Sequence, residues 1–371
     1  MDKVKVGIIG CGKVSHLHAQ ALKEIGEADF TSVYSRSLQK AKAFAEKYNV
    51  QGFDDLDEMF SKKVVDAVII CTPHPNHADV AVRAAKAGIH VLVEKPLASS
   101  LEDCDAMIGA AKGNGIKLGM VGQRRFYPSV QRIKRAIDEG KIGRPILGTV
   151  NIFGWRDEAY YSSDHWRGKW KEEGGGVLVN QAPHQIDILQ WYMGPIDEIY
   201  GCWSNLNHPY IEVEDTAVAV IKFKSGAIGN ILVTNSVNPA LYGKVHVYGE
   251  NGAALGVQTD GGAMFIAGMS SITEPPVNDL WTVKGEEQLL EKWKKEDTDL
   301  FNRIDPTVYF HKKQIEDFLR SIIKDTKPLI DGEEGRKTVE IFTAIYRSQR
   351  DKCPVKFPLE PEYKDDFDGR L

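Results

Sequence analysis

Over the first 124 residues, short runs of consecutive apolar residues alternate with longer stretches in which apolar positions recur every three or four residues. This predicts strands over 5–9, 30–34, 66–71, 90–93 and 117–121, with helices over 14–25, 38–48, 77–87 and 101–112 between them. Near-continuous apolar strands are buried on both faces, and strands joined through helices run parallel. The pattern specifies a doubly wound α/β domain over residues 1–124. After a helix over 129–138 the period changes. The runs 147–155, 198–205, 216–223, 227–233 and 244–248 read as longer alternating strands, linked by turn pairs such as Ser225-Gly226 and Asn251-Gly252. Residues 125–371 are therefore expected to form a second, mainly antiparallel α+β domain.

Residues 284–299 are dense in charge and read as a solvated surface decoration, although Trp281 and Trp293 point to packing on one side. Helices over 308–323 and 333–350 precede a Pro-rich, acidic tail expected to be loosely held.

Composition narrows the function more than the fold. At 371 residues the chain exceeds the size of a single core, and 42% hydrophobic with 27% charged residues is ordinary globular usage. A net charge of -5 provides no field to gather nucleic acid or an anionic membrane, so small-molecule partners are expected. No run approaches the roughly 18 apolar residues of a membrane span. Met1-Asp2-Lys3 leads straight into a strand, and five cysteines form no CxxC pair or metal-like cluster. A cytoplasmic, reducing setting with no metal is the expectation, Cys11 and Cys71 packing as small hydrophobes.

Candidate chemistry begins at Gly7-Ile8-Ile9-Gly10-Cys11-Gly12-Lys13-Val14-Ser15, which follows the first strand and opens a helix. Gly10 permits the tight turn, Gly12 lets backbone approach a pyrophosphate, and Ser15 is small where helix and strand pack; Lys13 and Val14 open the helix toward the phosphates. About 20 residues on, where NAD-specific folds carry a carboxylate for the ribose hydroxyls, stands Tyr34-Ser35-Arg36-Ser37. Arg36 and Ser35 suit a 2′-phosphate, so NADP is expected over NAD; in the other reading Arg36 faces solvent. At the next strand end, Thr72, Pro73 and His77 are expected cofactor contacts, while Asn76 caps a helix. His16 and His18 have no evident acid partner and read as structural or cofactor-adjacent.

Val93-Glu94-Lys95-Pro96 ends a buried strand at the same sheet edge. A lysine there, near a cationic nicotinamide, is suited to proton transfer, and Pro96 limits its conformations. Lys95 is the predicted acid/base, with Glu94 and Gln123 completing the cofactor site.

The glycine loop, Thr72-Pro73, Glu94-Lys95-Pro96, the run from Gly174-Gly175-Gly176 to His184 and Asp187, and Gly332-Glu333-Glu334-Gly335 together resemble the Gfo/Idh/MocA oxidoreductases. The resemblance covers nearly the whole chain. It implies an N-terminal Rossmann domain, an open antiparallel sheet domain, and hydride transfer between NAD(P) and a secondary hydroxyl or ketone of a sugar, glycoside or cyclic polyol. The family's Asp and His positions fall on Asn180 and His184, expected on one helix face with Asn180 as N-cap ahead of Pro183. Asn180 cannot take a proton, so proton transfer rests on Lys95 and His184 while Asn180 orients substrate; Asp187 either orients the imidazole or faces the core. Arg124, Tyr161, Trp166 and Arg167, with Lys95, Asn180 and His184, form the expected substrate pocket, aromatic rings covering a pyranose and guanidinium groups bonding hydroxyls. A nucleotide-sugar 3-dehydrogenase or reductase, or a non-catalytic NAD(P)- and sugar-sensing regulator, are the alternatives. The apolar sheet face predicts a homodimer or homotetramer.

Overall fold

A computed structural model describes residues 3–259, 272–362 and 368–370. The chain packs as two compact units, 1–123 with 307–336, and 124–306 with 337–371. Residues 307–336 thus count with the first unit although they follow most of the second in sequence.

The first unit is built on β1 (Val4–Ile9), β2 (Ala28–Tyr34), β3 (Gln51–Phe53), β4 (Ala67–Ile70), β5 (His90–Val93) and β6 (Leu118–Met120). All pairs are parallel and the order is β3-β2-β1-β4-β5-β6. The order reverses between β1 and β4, which opens a crevice at the strands' carboxyl ends. β3 is three residues long, too short to leave a period in the sequence. Val4, Val6 and Ile8 pack in one core with Leu22 of the helix Lys13–Lys23 and with Val308, Ile315, Phe318 and Leu319 of the helix Pro306–Ile323. Gln314 of that returning helix accepts from the Gly122 amide at 2.8 Å and donates to the Met120 carbonyl at 2.6 Å, closing the end of β6.

The second unit carries β7 (Pro145–Phe153), β8 (Ile196–Ser204), β9 (Thr216–Phe223), β10 (Ile228–Thr234), β11 (Gly243–Gly249), β12 (Ala254–Thr259), β13 (Val277–Trp281) and β14 (Val355–Lys356). They pair in the order β13-β12-β11-β7-β10-β9-β8-β14, antiparallel except for β7 with β10. β9 shows the cause of the alternating pattern: Ala217, Ala219, Ile221 and Phe223 are buried, Val218 and Val220 exposed. The helix Pro183–Met193 covers the inner face, and at Gly148 a Cβ would stand 2.8 Å from both Leu189 and Met193. β12 and β13 escape sequence reading because Gly256 and Asn278-Asp279 interrupt the apolar alternation, with a register shift at Gly256.

Two expectations are corrected here. The charged segment is no mere decoration: its helix Leu289–Phe301 sets Trp293 edge-on against Trp281 at 4.7 Å, and Asp297 takes both Nη atoms of Arg132 at 2.6 and 2.7 Å. Nor is the tail loose where it is described. β14 pairs with β8, Asp368 pairs with Arg347 at 3.1 Å, and Arg370, over the Phe342 and Tyr346 rings, donates to the Gly174 carbonyl at 2.6 Å. Both errors share a cause: clustered charged side chains conceal an aromatic or guanidinium anchor that packs.

Candidate functional site

In the first unit a cleft of about 350 Å³ opens at the carboxyl ends of β1, β2 and β4 and is lined by Gly10, Gly12, Ser35, Arg36, Thr72 and Asn76, among others. Gly10 has φ 109°, and a Cβ there would lie 2.8 Å from the Cys71 carbonyl oxygen, so only glycine brings the two loops this close. Around Gly12 a Cβ would meet nothing within 4 Å. Gly12 stands as N-cap of the helix Lys13–Lys23 with no side-chain cap, which leaves the Lys13 and Val14 turn to receive an anion from the cleft. Ser15 is fully buried and donates to the Gly12 carbonyl, fixing that turn. Burial pushes the Cys11 thiol up to about 11, as a packing role requires. The Thr72 hydroxyl and Gln123 Oε1 are buried without a hydrogen-bond partner among the described residues, which fits a polar ligand such as a dinucleotide.

Ser35 accepts from the Ser37 amide at 3.3 Å, while Ser37 itself caps the helix Leu38–Tyr48. Lys40, not anticipated from the sequence, joins Arg36 in lining the cleft. Asn76 holds the N-cap position of the helix His77–Lys86, but its side chain makes no capping bond, contrary to expectation. His77 is fully buried. One ring nitrogen meets the Pro96 and Leu97 carbonyls at 3.0 and 3.3 Å and the other the Thr72 carbonyl at 2.9 Å, so it braces two loops rather than offering an edge to a ligand.

Lys95 follows β5 at the same sheet edge, half-buried, with a cis bond to Pro96. The structure adds what the sequence concealed. Glu94 Oε1 meets His18 Nε2 at 2.7 Å, with His311 Nε2 at 4.0 Å, while Oε2 accepts from the Lys95 backbone amide at 3.1 Å. His18, read as lacking an acid partner, therefore has one. Its spacing from Glu94 along the chain is 76 residues and carries no local signal. Burial pushes the Glu94 carboxyl up, but the bond from His18 and the charges of His18, His311 and Lys95 outweigh it and hold the group at about 2. The donor atoms of His18, Glu94 and His311 all lie within 4.8 Å of one another. His18 and Glu94 are themselves in direct hydrogen-bond contact at 2.7 Å.

In the second unit the triple glycine is a packing device. Gly174 and Gly175 have φ 87° and 153°, and a Cβ on Gly176 would lie 1.8 Å from the Glu214 carbonyl oxygen. Glu214 holds this turn, accepting from the Gly176 and Leu178 amides at 2.8 and 3.0 Å. Burial outweighs those bonds and raises its carboxyl to about 7.

Asn180 and His184 do not share a helix. Asn180 ends the helix Val177–Asn180, and a new helix starts with Ala182 as N-cap and Pro183 in its first turn, because proline cannot continue the first. Asn180 donates to Glu173, a buried carboxylate the sequence reading passed over. His184 is buried near the start of the second helix. Both oxygens of Asp187 are engaged by buried Arg125 at 2.6 and 2.8 Å. Arg124 lies half-buried on the short turn Gln123–Phe126. Arg167 is held between two rings, its guanidinium 4.5 Å from the centroids of both Tyr160 and Trp166, and donates to the Tyr160 hydroxyl at 2.7 Å. Tyr161 is buried and its hydroxyl accepts from Asn235 at 3.2 Å, so its ring serves the core.

A six-stranded parallel sheet with a glycine-lined switch point, followed by a mixed sheet, defines a dinucleotide-binding unit joined to a second, mainly antiparallel unit. Comparison with known proteins makes this specific. Residues 4–122 match the oxidoreductase family with NAD-binding Rossmann fold, and residues 130–255 match the Gfo/Idh/MocA C-terminal domain. The chain belongs to the Gfo/Idh/MocA family. It is similar to the WlbA dehydrogenase of Bordetella pertussis, solved in complex with NADH and UDP-GlcNAcA, with 30% identity and a TM-score of 0.84 over 97% of this chain and 99% of that one. It is 26% identical to the myo-inositol 2-dehydrogenase of Thermotoga maritima over 95% of this chain and 98% of that protein. The scyllo-inositol 2-dehydrogenase (NAD(+)) of Bacillus subtilis is 30% identical over 62% of this chain and 66% of its own length. No helix among the described residues is long and apolar enough to cross a membrane.

Proposed function

We propose that this chain is a cytoplasmic NAD(P)-dependent dehydrogenase or reductase acting on a secondary hydroxyl or ketone of a sugar, glycoside or cyclic polyol, with Lys95 as its acid/base. One observation carries the reading: the strand end that presents Lys95 is tied through Glu94 to His18, on the helix that the glycine loop opens. Gly10, Gly12, Ser35, Arg36 and Thr72 would hold a nicotinamide dinucleotide, which would supply or take the hydride. Lys95 removes the hydroxyl proton in oxidation and returns it in reduction, assisted by His184. Asn180 orients the hydroxyl, Trp166 and Arg167 meet the ring face and its hydroxyls, and Arg124 bonds a carboxylate, phosphate or hydroxyl of the substrate. Inositol dehydrogenases among the relatives support a cyclic polyol.

A second reading has its own support. The WlbA relative carries a nucleotide-linked sugar and is similar over nearly the full length, which favours a nucleotide-sugar dehydrogenase. A panel of inositols, free sugars, glycosides and uridine-diphosphate sugars, assayed with both cofactors through reduced nicotinamide, separates the two. No turnover on any member sinks both. Lys95→Met is expected to keep cofactor affinity and lower turnover at least about a hundredfold; unchanged turnover removes Lys95 from the mechanism.

NADP is the proposed preference, supported by Ser35, Arg36 and Lys40 in the cleft. Ser35→Asp is expected to lower the NADP-to-NAD ratio of kcat/KM, and an unchanged ratio removes Ser35 as selector. The exposed Tyr200, Val218, Val220 and Ile228 support a homodimer or homotetramer; a monomeric sedimentation mass at micromolar concentration overturns it.

A further inference from the structure

Asn180 replaces a carboxylate with an amide, yet a carboxylate stands directly behind it. Glu173 closes the helix Trp170–Glu173, after which Gly174 and Gly175 reverse the chain so that Asn180 returns to it. Asn180 Nδ2 donates to Glu173 Oε1, and Glu173 Oε2 accepts from the Gly168 amide at 2.5 Å. Glu173 is 2% exposed, too deep to be a solvated surface acid. Among the groups that act on it are Arg167, Glu214 and the hydroxyls of Tyr160 and Tyr161.

We propose that Glu173 is a positioning residue for the reaction: its carboxylate grips the Asn180 amide by the nitrogen and turns the amide oxygen toward the substrate hydroxyl. Two residues then do what an aspartate at 180 does alone, with the acid set one bond further back. This rests on the oxidoreductase reading above. The chemistry follows from donor counting. An ionised carboxylate only accepts, so it admits a single orientation of the Asn180 amide, nitrogen inward and oxygen outward. A protonated Glu173 can donate to Asn180 Oδ1, which reverses the amide and presents a donor instead. Burial raises the Glu173 carboxyl to about 7 against the pull of the Gly168 amide, Asn180 and Arg167, with Glu214 adding to the rise. The exchange between the two orientations therefore falls near neutral pH.

Glu173→Gln, Asn180→Asp and the double variant test this, assayed from about pH 5.5 to about pH 9 on whichever substrate the panel identifies. The parent's kcat/KM is expected to show an inflection near 7 that Glu173→Gln removes, leaving the limbs of the proton-transfer groups, while lowering the plateau about tenfold. Asn180→Asp puts two carboxylates in contact and is expected to lose activity, because the two cannot easily ionise together. The double variant, with one carboxylate again, recovers to within about threefold of the parent. Thermal unfolding checks that each variant folds. A pH profile of the same shape and midpoint in Glu173→Gln as in the parent, or a double variant no better than the worse single one, overturns the proposal; a purely structural Glu173 moves activity equally at every pH. Should no substrate turn over, the oxidoreductase reading fails separately. The ¹³C carboxyl titration of Glu173 then decides: a midpoint displaced in Asn180→Ala supports the coupling, and an unmoved midpoint overturns it.

Discussion

Glu94 in the first unit and Glu214 in the second are both buried glutamates that accept from backbone amides, yet one is held at about 2 and the other raised to about 7. Burial pushes both upward. The difference lies in what opposes it. Glu94 has two imidazoles and a lysine beside it, formal or potential cations that favour the ionised form, whereas Glu214 is held by neutral dipoles. Asp215 shows that the partner decides and not the unit: it lies in the second unit, but a 2.7 Å contact with His208 helps hold it at about 2 against burial. A buried acid meant to stay charged needs a cation beside it. One held by neutral donors titrates near neutrality.

Breaking the first member of the comparison gives the largest effect on stability. The folded value of Glu94 lies below its ordinary 4.5, so its contribution is complete above 4.5 and is lost as pH falls from 4.5 to about 2. Glu94→Gln is expected to cost about 3 kcal/mol at pH 7, the scale for removing one partner of a buried ion pair, and to flatten the acid limb. Urea unfolding between about pH 3 and about pH 8 measures both. Equal stability of variant and parent at pH 7 would show that the network contributes nothing net.

Glu214 runs the other way. Its folded carboxyl keeps a proton between 4.5 and about 7 that the unfolded chain releases, so its contribution falls as pH rises through that window. The loss is on the order of 3 kcal/mol by pH 8. Glu214→Gln cannot ionise, though it leaves one of two amides facing a donor and so costs about 1 kcal/mol when the parent is protonated. The variant is expected to be the less stable protein at pH 5 and the gap to close or reverse by pH 8. A constant gap across that range means that Glu214 does not titrate there.

The parallel sheet, the glycine turn and the strand end at Lys95 were legible because each leaves a local trace: an apolar run, a spacing of glycines, a charge after a buried strand. The pairs that set the electrostatics left none. His18, Glu94 and His311 come from a helix, a strand end and the returning helix, and only tertiary packing joins them. Glu173 was nearer to legible, since an acid one residue before a triple glycine is brought onto whatever the turn returns to it. Pro183 does sit in a first turn, as read, but Ala182 caps that helix and Asn180 ends the one before it, a break between two short helices that the spacing alone does not reveal.

The smallest effect sharpens the comparison within the Glu94 cluster. His18 touches the carboxylate at 2.7 Å, whereas His311 stands 4.0 Å away with its other nitrogen on the Thr307 carbonyl. A hydrogen bond to a charged group contributes more than charge proximity alone, so His18→Gln is expected to shift the acid limb well upward and His311→Gln to shift it by less than about half as much. His311→Gln should cost no more than about 1 kcal/mol at pH 7, measured by the same urea series. Equal shifts from the two variants would mean that the three groups titrate as one unit, in which case the low value of Glu94 belongs to the cluster and not to its single short bond.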